Sequence, residues 1–218
     1  MGVDITNKES EFKELNNIQD KNESKQKLNH INEHFIFNTL NSILSLCREN
    51  SEEARKVVLE LSSYLRFNFK VSDKIVFLYD EIEYIKSYLY IQKVRFGDRL
   101  NIKYDIEEDI NFIIPKNSLY NLIDNAVNHG ILKRNHGGTI TFMVKRDSEK
   151  IVLKISDDGV GMEDALIMKI RSLEHCGSIL TSTSQFKDLY NSKLEVISKP
   201  QIGTYITLNI PIENIKYV

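Results

Sequence analysis

Apolar residues recur every three or four positions over much of the first half of the chain. From Leu28 to Cys47 this spacing predicts an amphipathic helix with a wide apolar face. A second helix is predicted after Asn50, which has the spacing of a capping box with Glu53. The short link between them predicts an antiparallel hairpin. Since one hairpin buries two apolar faces poorly, we expect a second copy to complete a four-helix bundle.

A third helix is predicted from about Asp80 to Phe96, where Gly97 ends it. The spacing then changes to an alternation of apolar and polar residues, which predicts strands at LNIKYDI, TITFMVKR, KIVLKIS, KLEVIS and TYITLNI. Helices are predicted between them at SLYNLIDNAVNH and MEDALIMKIRSL. The predicted fold class is therefore α+β, with an N-terminal dimerising helical hairpin followed by helices on one face of a mixed, mostly antiparallel sheet.

Composition excludes several classes of protein. The 218 residues carry 29 Lys and Arg against 31 Asp and Glu, so the net charge of −2 gives no reason to expect nucleic-acid binding. No stretch has the roughly 20 apolar residues of a membrane span. Cys47 and Cys176 lack metal or redox spacing, which predicts free thiols and a reducing, cytoplasmic location. The polar residues 1–27 are predicted to be a lead-in helix or a disordered tail.

Polar side chains recur along the predicted helix NLIDNAVNHG. Asn121, Asn125 and Asn128 share one helix face, and Asp124 lies at its edge. Amide and carboxylate oxygens placed in this way can bind a hard cation such as Mg²⁺, which brings phosphates with it. A solvated polar face explains the same spacing equally well.

A second polar segment, ISDDGVGM, follows an apolar strand. Asp157 at the strand end is a candidate acceptor for an exocyclic amine such as that of adenine, and Gly159 and Gly161 permit close approach of a ligand. Asp-Gly is also a common turn, so the segment alone is weak evidence. Gly203 and Thr204, which open the last strand, mean nothing by themselves.

A third candidate segment, HINEHFIFNTLNSI, is unusually rich in polar residues for a core helix. His30, His34, Asn38 and Asn41 form a polar stripe opposite the apolar face. A neutral imidazole is a good nucleophile near pH 7 because its unperturbed pKa is about 6.5. From this pattern alone, a plain surface histidine is the better interpretation.

Taken in order, these segments resemble a known family. The asparagine helix, the Asp-x-Gly-x-Gly segment and the final Gly-Thr are similar to the ATP-binding domain of the GHKL superfamily, a Bergerat-type α/β sandwich. INEHFIFNTLNSI resembles the INPHFLFNTLNSI signature of LytS-like sensor histidine kinases, and YLRFNF, EIEYIKSYLYIQKVRFGDRLNIKYDI and IPKNSLYNLIDNAVNHG match as well. The resemblance covers roughly residues 27–211. It implies phosphotransfer and dimerisation helices over 28–95 and an ATP-binding domain over 96–218.

The resemblance also implies an activity and its residues. His34 would accept the γ-phosphoryl group of ATP and pass it to an aspartate of a cognate response regulator, for which a LytTR type is one option. Asp124 replaces the family's glutamate and would orient water or accept the histidine proton. The residues implied for ATP binding are Asn121, Asn125, Asp157, Gly159 and Gly161, with Asn125 as the Mg²⁺ ligand. Family members usually have a membrane sensor, so the chain is expected to be a soluble variant or the cytoplasmic part of a longer protein.

Two departures from the family keep an alternative open. Glu33 replaces a proline before the histidine, which either straightens the helix or makes the histidine more basic. In the segment that covers ATP, Cys176 and Ser178 align with two glycines, and the Ser- and Thr-rich residues nearby predict no strong helix. An active histidine kinase is therefore favoured, with weak activity, over a degenerate, non-catalytic homologue that acts as a dimeric regulatory protein.

Overall fold

The computed structural model describes residues 33–69, 74–171 and 178–215. It begins with the predicted hairpin, formed by α1 (Glu33–Glu49) and α2 (Ser51–Phe69). Asn50 caps α2 as predicted, because its Oδ1 accepts the Glu53 N–H at 3.1 Å. In a capping box the Glu53 side chain would bond to the Asn50 N–H. Here the Glu53 carboxylate accepts a hydrogen bond from the Tyr90 hydroxyl at 2.7 Å, which joins the hairpin to the next helix. The predicted lead-in 1–27 and the predicted start of the first helix lie outside the described residues.

The remaining chain alternates short strands and helices. In order, the elements are β1 (Ile75–Phe77), α3 (Leu78–Phe96), β2 (Leu100–Ile106), β3 (Ile113–Pro115), α4 (Ser118–Asn125), β4 (Gly138–Asp147), β5 (Lys150–Asp157), α5 (Asp164–Arg171), α6 (Ser178–Tyr190), β6 (Lys193–Lys199) and β7 (Gly203–Pro211). Gly97 ends α3 as predicted, with a positive φ of 55°. A π-helical turn, Ala126–Gly130, extends α4, and short 3₁₀ turns follow α3, this π turn and β7.

The five predicted strands form one sheet in the order β2-β4-β5-β7-β6. β2 and β4 are parallel and the other neighbours antiparallel, which confirms a mixed, mostly antiparallel sheet. Alternate side chains of the central strands are buried on one face, as with Ile140, Leu153 and Leu208. The register places Asp157 opposite Thr204 of β7, so the Asp-x-Gly-x-Gly segment and the final Gly-Thr lie side by side at the ends of two central strands.

An aromatic cluster joins the hairpin to the sheet domain. It consists of Phe35 on α1, Tyr64 and Phe67 on α2, Tyr84 and Tyr88 on α3, and Tyr120 on α4. The apolar core therefore continues from α1 into the sheet domain. Rings at these distances add stabilisation beyond the area that they bury. The division of the chain at residues 95 and 96 stays a prediction.

The structure differs from the sequence-based prediction in three respects. The Ser- and Thr-rich segment, expected to give no strong helix, forms the 13-residue α6. Ser182, Phe186 and Tyr190 recur on one buried face of this helix, so packing overrides the weak helix propensity of the segment. The helix expected through His129 is α-helical only to Asn125. β1 and β3 were not predicted, and at three residues each they are too short to show a period. In the described ranges no helix is long and apolar enough to cross a membrane.

Candidate active site

Asp157 ends β5 with its carboxylate buried, at 6% exposure. Its Oδ1 accepts the Gly159 N–H at 2.9 Å, and the Thr204 N–H also bonds to the carboxyl group. Burial raises the pKa of the Asp157 carboxyl to about 6, and the charge of Asp158 adds to this, while the two N–H bonds oppose it. A buried carboxylate held by backbone donors at a strand end suits the recognition of a ligand N–H group.

The loop after Asp157 requires glycine for close backbone packing. A Cβ at Gly159 would lie 2.2 Å from the carbonyl carbon of Gly130, and a Cβ at Gly130 would lie 2.7 Å from the Asp157 Oδ1. Gly161 has φ +66°, and a Cβ there would lie 2.0 Å from the Lys199 carbonyl oxygen. The loop is thus packed tightly on the end of the asparagine helix. Ligand contacts of Gly159 and Gly161 stay predictions.

The asparagine helix presents its polar groups at the surface of the core. Asn121, Asp124, Asn125 and Asn128 are all half-buried. The Asp124 Oδ1 accepts two hydrogen bonds, from the Tyr88 hydroxyl at 2.6 Å and from the Asn128 Nδ2 at 2.8 Å. Asp124 and Asn128 therefore stay together even though the π turn interrupts the α-helix between them.

A buried glutamate that sequence reasoning missed holds the start of this helix. The Glu81 Oε1 accepts the N–H groups of Leu119 at 2.7 Å and Tyr120 at 3.1 Å, in the first turn of α4. Burial raises the pKa of the Glu81 carboxyl to about 7, against the opposing hydrogen bonds. The available signal was its position on α3, four residues before Ile85 and seven before Tyr88, which places a carboxylate on the apolar face.

His34 lies in the first turn of α1 with its side chain exposed, as the polar stripe predicts. The Asn38 Nδ2 lies 3.1 Å from both ring nitrogens and can donate to whichever one lacks a proton. Sequence reasoning assigned no role to Asn38, although i to i+4 spacing brings side chains together on a helix. The adjacent Phe35 is 3% exposed and lies 5.3 Å from Tyr88 between ring centroids. The backbone of His34 is thus fixed to the core while the imidazole faces solvent.

The predicted residues form two local groups, and within the described residues His34 has no hydrogen bond to either group. Asp157 and Gly159 are hydrogen-bonded at the end of β5, and Asp124 and Asn128 are hydrogen-bonded on the asparagine helix. In the described ranges no three His, Cys, Asp or Glu side chains come together as a metal site. A Mg²⁺ ion held by one asparagine and by phosphate oxygens needs no such group, so Asn125 remains compatible with this role. His30 and Cys176 lie outside the described residues.

Two family models match the chain: a histidine kinase model over residues 22–100, and a model of histidine kinase-, DNA gyrase B- and HSP90-like ATPases over residues 114–214. The chain belongs to the histidine kinase family. The first match covers the hairpin that carries His34, and the second covers the sheet domain that carries Asp157. The fold class is thereby confirmed, and the relatives described next confirm the resemblance to LytS-like kinases.

Curated relatives agree with this assignment. The sensor histidine kinase YpdA of Escherichia coli (strain K12) is 33% identical over 93% of this chain and 36% of its own length. The sensor protein LytS of Staphylococcus haemolyticus (strain JCSC1435) is 31% identical over 85% of this chain and 33% of its own length. YwpD of Bacillus subtilis (strain 168), an uncharacterised protein, is 36% identical over 83% and 66%. The chain thus spans about a third of the length of the two named sensors.

Proposed function

We propose that this chain is the kinase part of a two-component signalling protein. It phosphorylates His34 with ATP and passes the phosphoryl group to an aspartate of a cognate response regulator of the LytTR type. The observation that carries the proposal is the exposed imidazole of His34 beside the buried Phe35. Phe35 contacts Tyr88, whose hydroxyl holds Asp124 on the asparagine helix of the ATPase-type domain.

The nucleotide is bound by the two polar groups of the sheet domain. Asp157 accepts a hydrogen bond from the exocyclic amine of adenine, and this bond is strongest when the carboxylate is ionised. Asn121 and Asn125 face the phosphates from the asparagine helix, and Asn125 would hold Mg²⁺. The ion supplies charge neutralisation at the phosphates, which is the main catalytic requirement of phosphoryl transfer.

The transfer itself uses an unprotonated imidazole nitrogen of His34 as nucleophile. A bond forms between this nitrogen and the γ-phosphorus while the bond from that phosphorus to the β–γ bridging oxygen breaks, and ADP leaves with the electron pair. Asp124 accepts the imidazole proton or orients a water molecule. The phosphohistidine then donates the phosphoryl group to the regulator carboxylate. The exposure of His34 permits both encounters.

A second copy of the chain covers the outer face of the hairpin. Phe37 and Leu44 on α1 are 65% and 67% exposed, and Leu40 between them is 44% exposed. Their spacing of three and four residues forms one apolar stripe. On α2, Val58 and Leu59 are also exposed, at 48% and 53%. Exposed stripes of this kind are typical of association surfaces, so the proposed protein is a homodimer.

The test is incubation of the purified protein with γ-labelled ATP and Mg²⁺. We expect an acid-labile, alkali-stable label that His34→Gln abolishes without loss of nucleotide binding. His136→Gln, a histidine whose ring contacts its own loop at Gly137, is the matched control and should keep the label. Wild-type protein that binds ATP but takes no label would favour the degenerate regulatory homologue suggested by Cys176 and Ser178. Label that persists in His34→Gln would overturn the assigned acceptor.

A further inference from the structure

The Tyr88 hydroxyl is directed at Asp124 by its other partners. Tyr88 lies on α3 at 1% exposure, and its Oη lies 2.6 Å from the Asp124 Oδ1. The Gln92 Nε2 donates to the same Oη at 2.8 Å, which occupies a lone pair and leaves the hydroxyl hydrogen for the carboxylate. Burial and the neighbouring carboxylate raise the pKa of Tyr88 well above its ordinary value, so the hydroxyl keeps the proton that it donates.

The ring that carries this hydroxyl is fixed on several sides. Tyr88 packs edge-on against Tyr120 at 5.1 Å between centroids and lies 5.3 Å from Phe35. Tyr64 lies 6.4 Å away on the hairpin. Because α1, α2 and α4 all contact this ring, the position of its Oη is set by the interface between the hairpin and the sheet domain.

Both donors of Asp124 within the described residues reach the same oxygen. Tyr88 and Asn128 donate to Oδ1, so they fix the plane of the carboxylate and direct Oδ2 away from them. The terminal torsion of an aspartate is otherwise broad and roughly two-fold. A catalytic carboxylate needs a fixed orientation, since displacements of about 1 Å at a reacting group can cost about 100-fold in rate.

We propose that Tyr88 is a positioning residue for Asp124 in phosphoryl transfer, an inference that rests on the proposed function. In this role Tyr88 acts through Asp124 and not directly on the nucleotide or on His34. It holds one carboxylate oxygen so that the other faces the reacting imidazole or its water. The aspartate is one methylene shorter than the family's glutamate. The Tyr88 hydroxyl, a fixed donor on α3, therefore sets the position of the free oxygen of this shorter side chain.

Tyr88→Phe tests the proposal because it keeps the ring and removes only the donor. The expected loss is about tenfold in kcat for His34 labelling, the effect of removing one hydrogen bond to a charged group, with KM for ATP changed less than about twofold. Tyr120→Phe is the matched control: it lies in the same cluster, and its hydroxyl pairs with Tyr64 at 3.3 Å, not with Asp124. This variant should label at close to the wild-type rate.

A double-mutant cycle separates positioning from a merely structural role. If Tyr88 acts through Asp124, Tyr88→Phe should have little further effect in an Asp124→Asn background. Gln92→Leu, which removes the group that orients the hydroxyl, should lower kcat in the same direction and serves if Tyr88→Phe unfolds. Additive losses in the cycle, equal losses in Tyr88→Phe and Tyr120→Phe, or wild-type kcat in Tyr88→Phe would each overturn the proposal. Absence of label in the wild type would instead overturn the proposed function, and this inference with it.

Discussion

Replacing Asp157 by asparagine should make the empty protein more stable and its nucleotide complex weaker. The pKa of Asp157 is about 6 in the folded chain against an ordinary 3.8. Since one pKa unit corresponds to about 1.4 kcal/mol, keeping this carboxylate ionised in the fold costs about 3 kcal/mol. The folded-state pKa is raised, so the group's contribution to stability is full below pH 3.8 and is lost as the pH rises through about 6.

Asparagine removes this cost but is a poorer partner for adenine. Its oxygen can still accept the Gly159 N–H, which fixes its NH₂ group in the position of the other carboxylate oxygen. There it meets the adenine amine donor to donor. Loss of a hydrogen bond to a charged group is worth about 1.5–3 kcal/mol, which corresponds to about 10- to 100-fold in Kd. An unpartnered amide donor reduces the stability gain of about 3 kcal/mol by about 1 kcal/mol.

Thermal unfolding and ADP calorimetry measure the two effects on the same samples. At about pH 8, Asp157→Asn should unfold at a higher temperature than the wild type, and the difference should nearly vanish at about pH 4. Asp158→Asn is the control, because Asp158 is exposed and its Oδ1 accepts the Thr139 N–H at 2.6 Å. It should change ADP affinity less than about threefold. A destabilised Asp157→Asn variant at pH 8, or one with wild-type ADP affinity, would refute the reasoning.

Three further predictions follow from other parts of the chain. Glu81→Ala should lower the free energy of unfolding by about 2–4 kcal/mol because it leaves two helix N–H groups without an acceptor. Glu81→Gln should keep or raise the stability of the fold above pH 7, so equal unfolding temperatures of the two variants would contradict this. Phe37→Glu with Leu44→Glu should give monomers in sedimentation while nucleotide binding persists, and an unchanged dimer would exclude this face. Replacing Cys176 and Ser178 by glycine should raise the labelling rate with little change in ADP affinity, because phosphate-binding backbones need close approach; an unchanged rate would show that these substitutions do not limit transfer.

Elements with a long, clear period were predictable from the sequence. The alternation follows the buried face of the sheet through all of β5 and through the middle of β4 and β7, and the capping pair at Asn50 and Glu53 starts α2 where predicted. Asp157 was predictable because it takes the next inward position of β5 after Ile151, Leu153 and Ile155, at the end of the strand. α6 was not, since its helix depends on Phe186 and Tyr190 packing into the core and not on the weak propensity of its Ser and Thr residues.

The links between the candidate site and the hairpin are tertiary contacts, which the hydrophobic periodicity of the sequence cannot predict. Helical spacing predicts that Tyr88 faces the core, but it does not predict that the hydroxyl meets Asp124, 36 positions later in the chain. The same helix reaches Glu53 through Tyr90 and the start of α4 through Glu81. Tyr88 and Glu81 of α3 therefore connect the two regions matched by separate family models, while Tyr90 holds α3 to the hairpin within the first region. If α3 moves with the hairpin relative to the sheet domain, the Tyr88 bond that orients Asp124 breaks, and if α3 stays with the sheet domain, the bond from Tyr90 to Glu53 breaks instead.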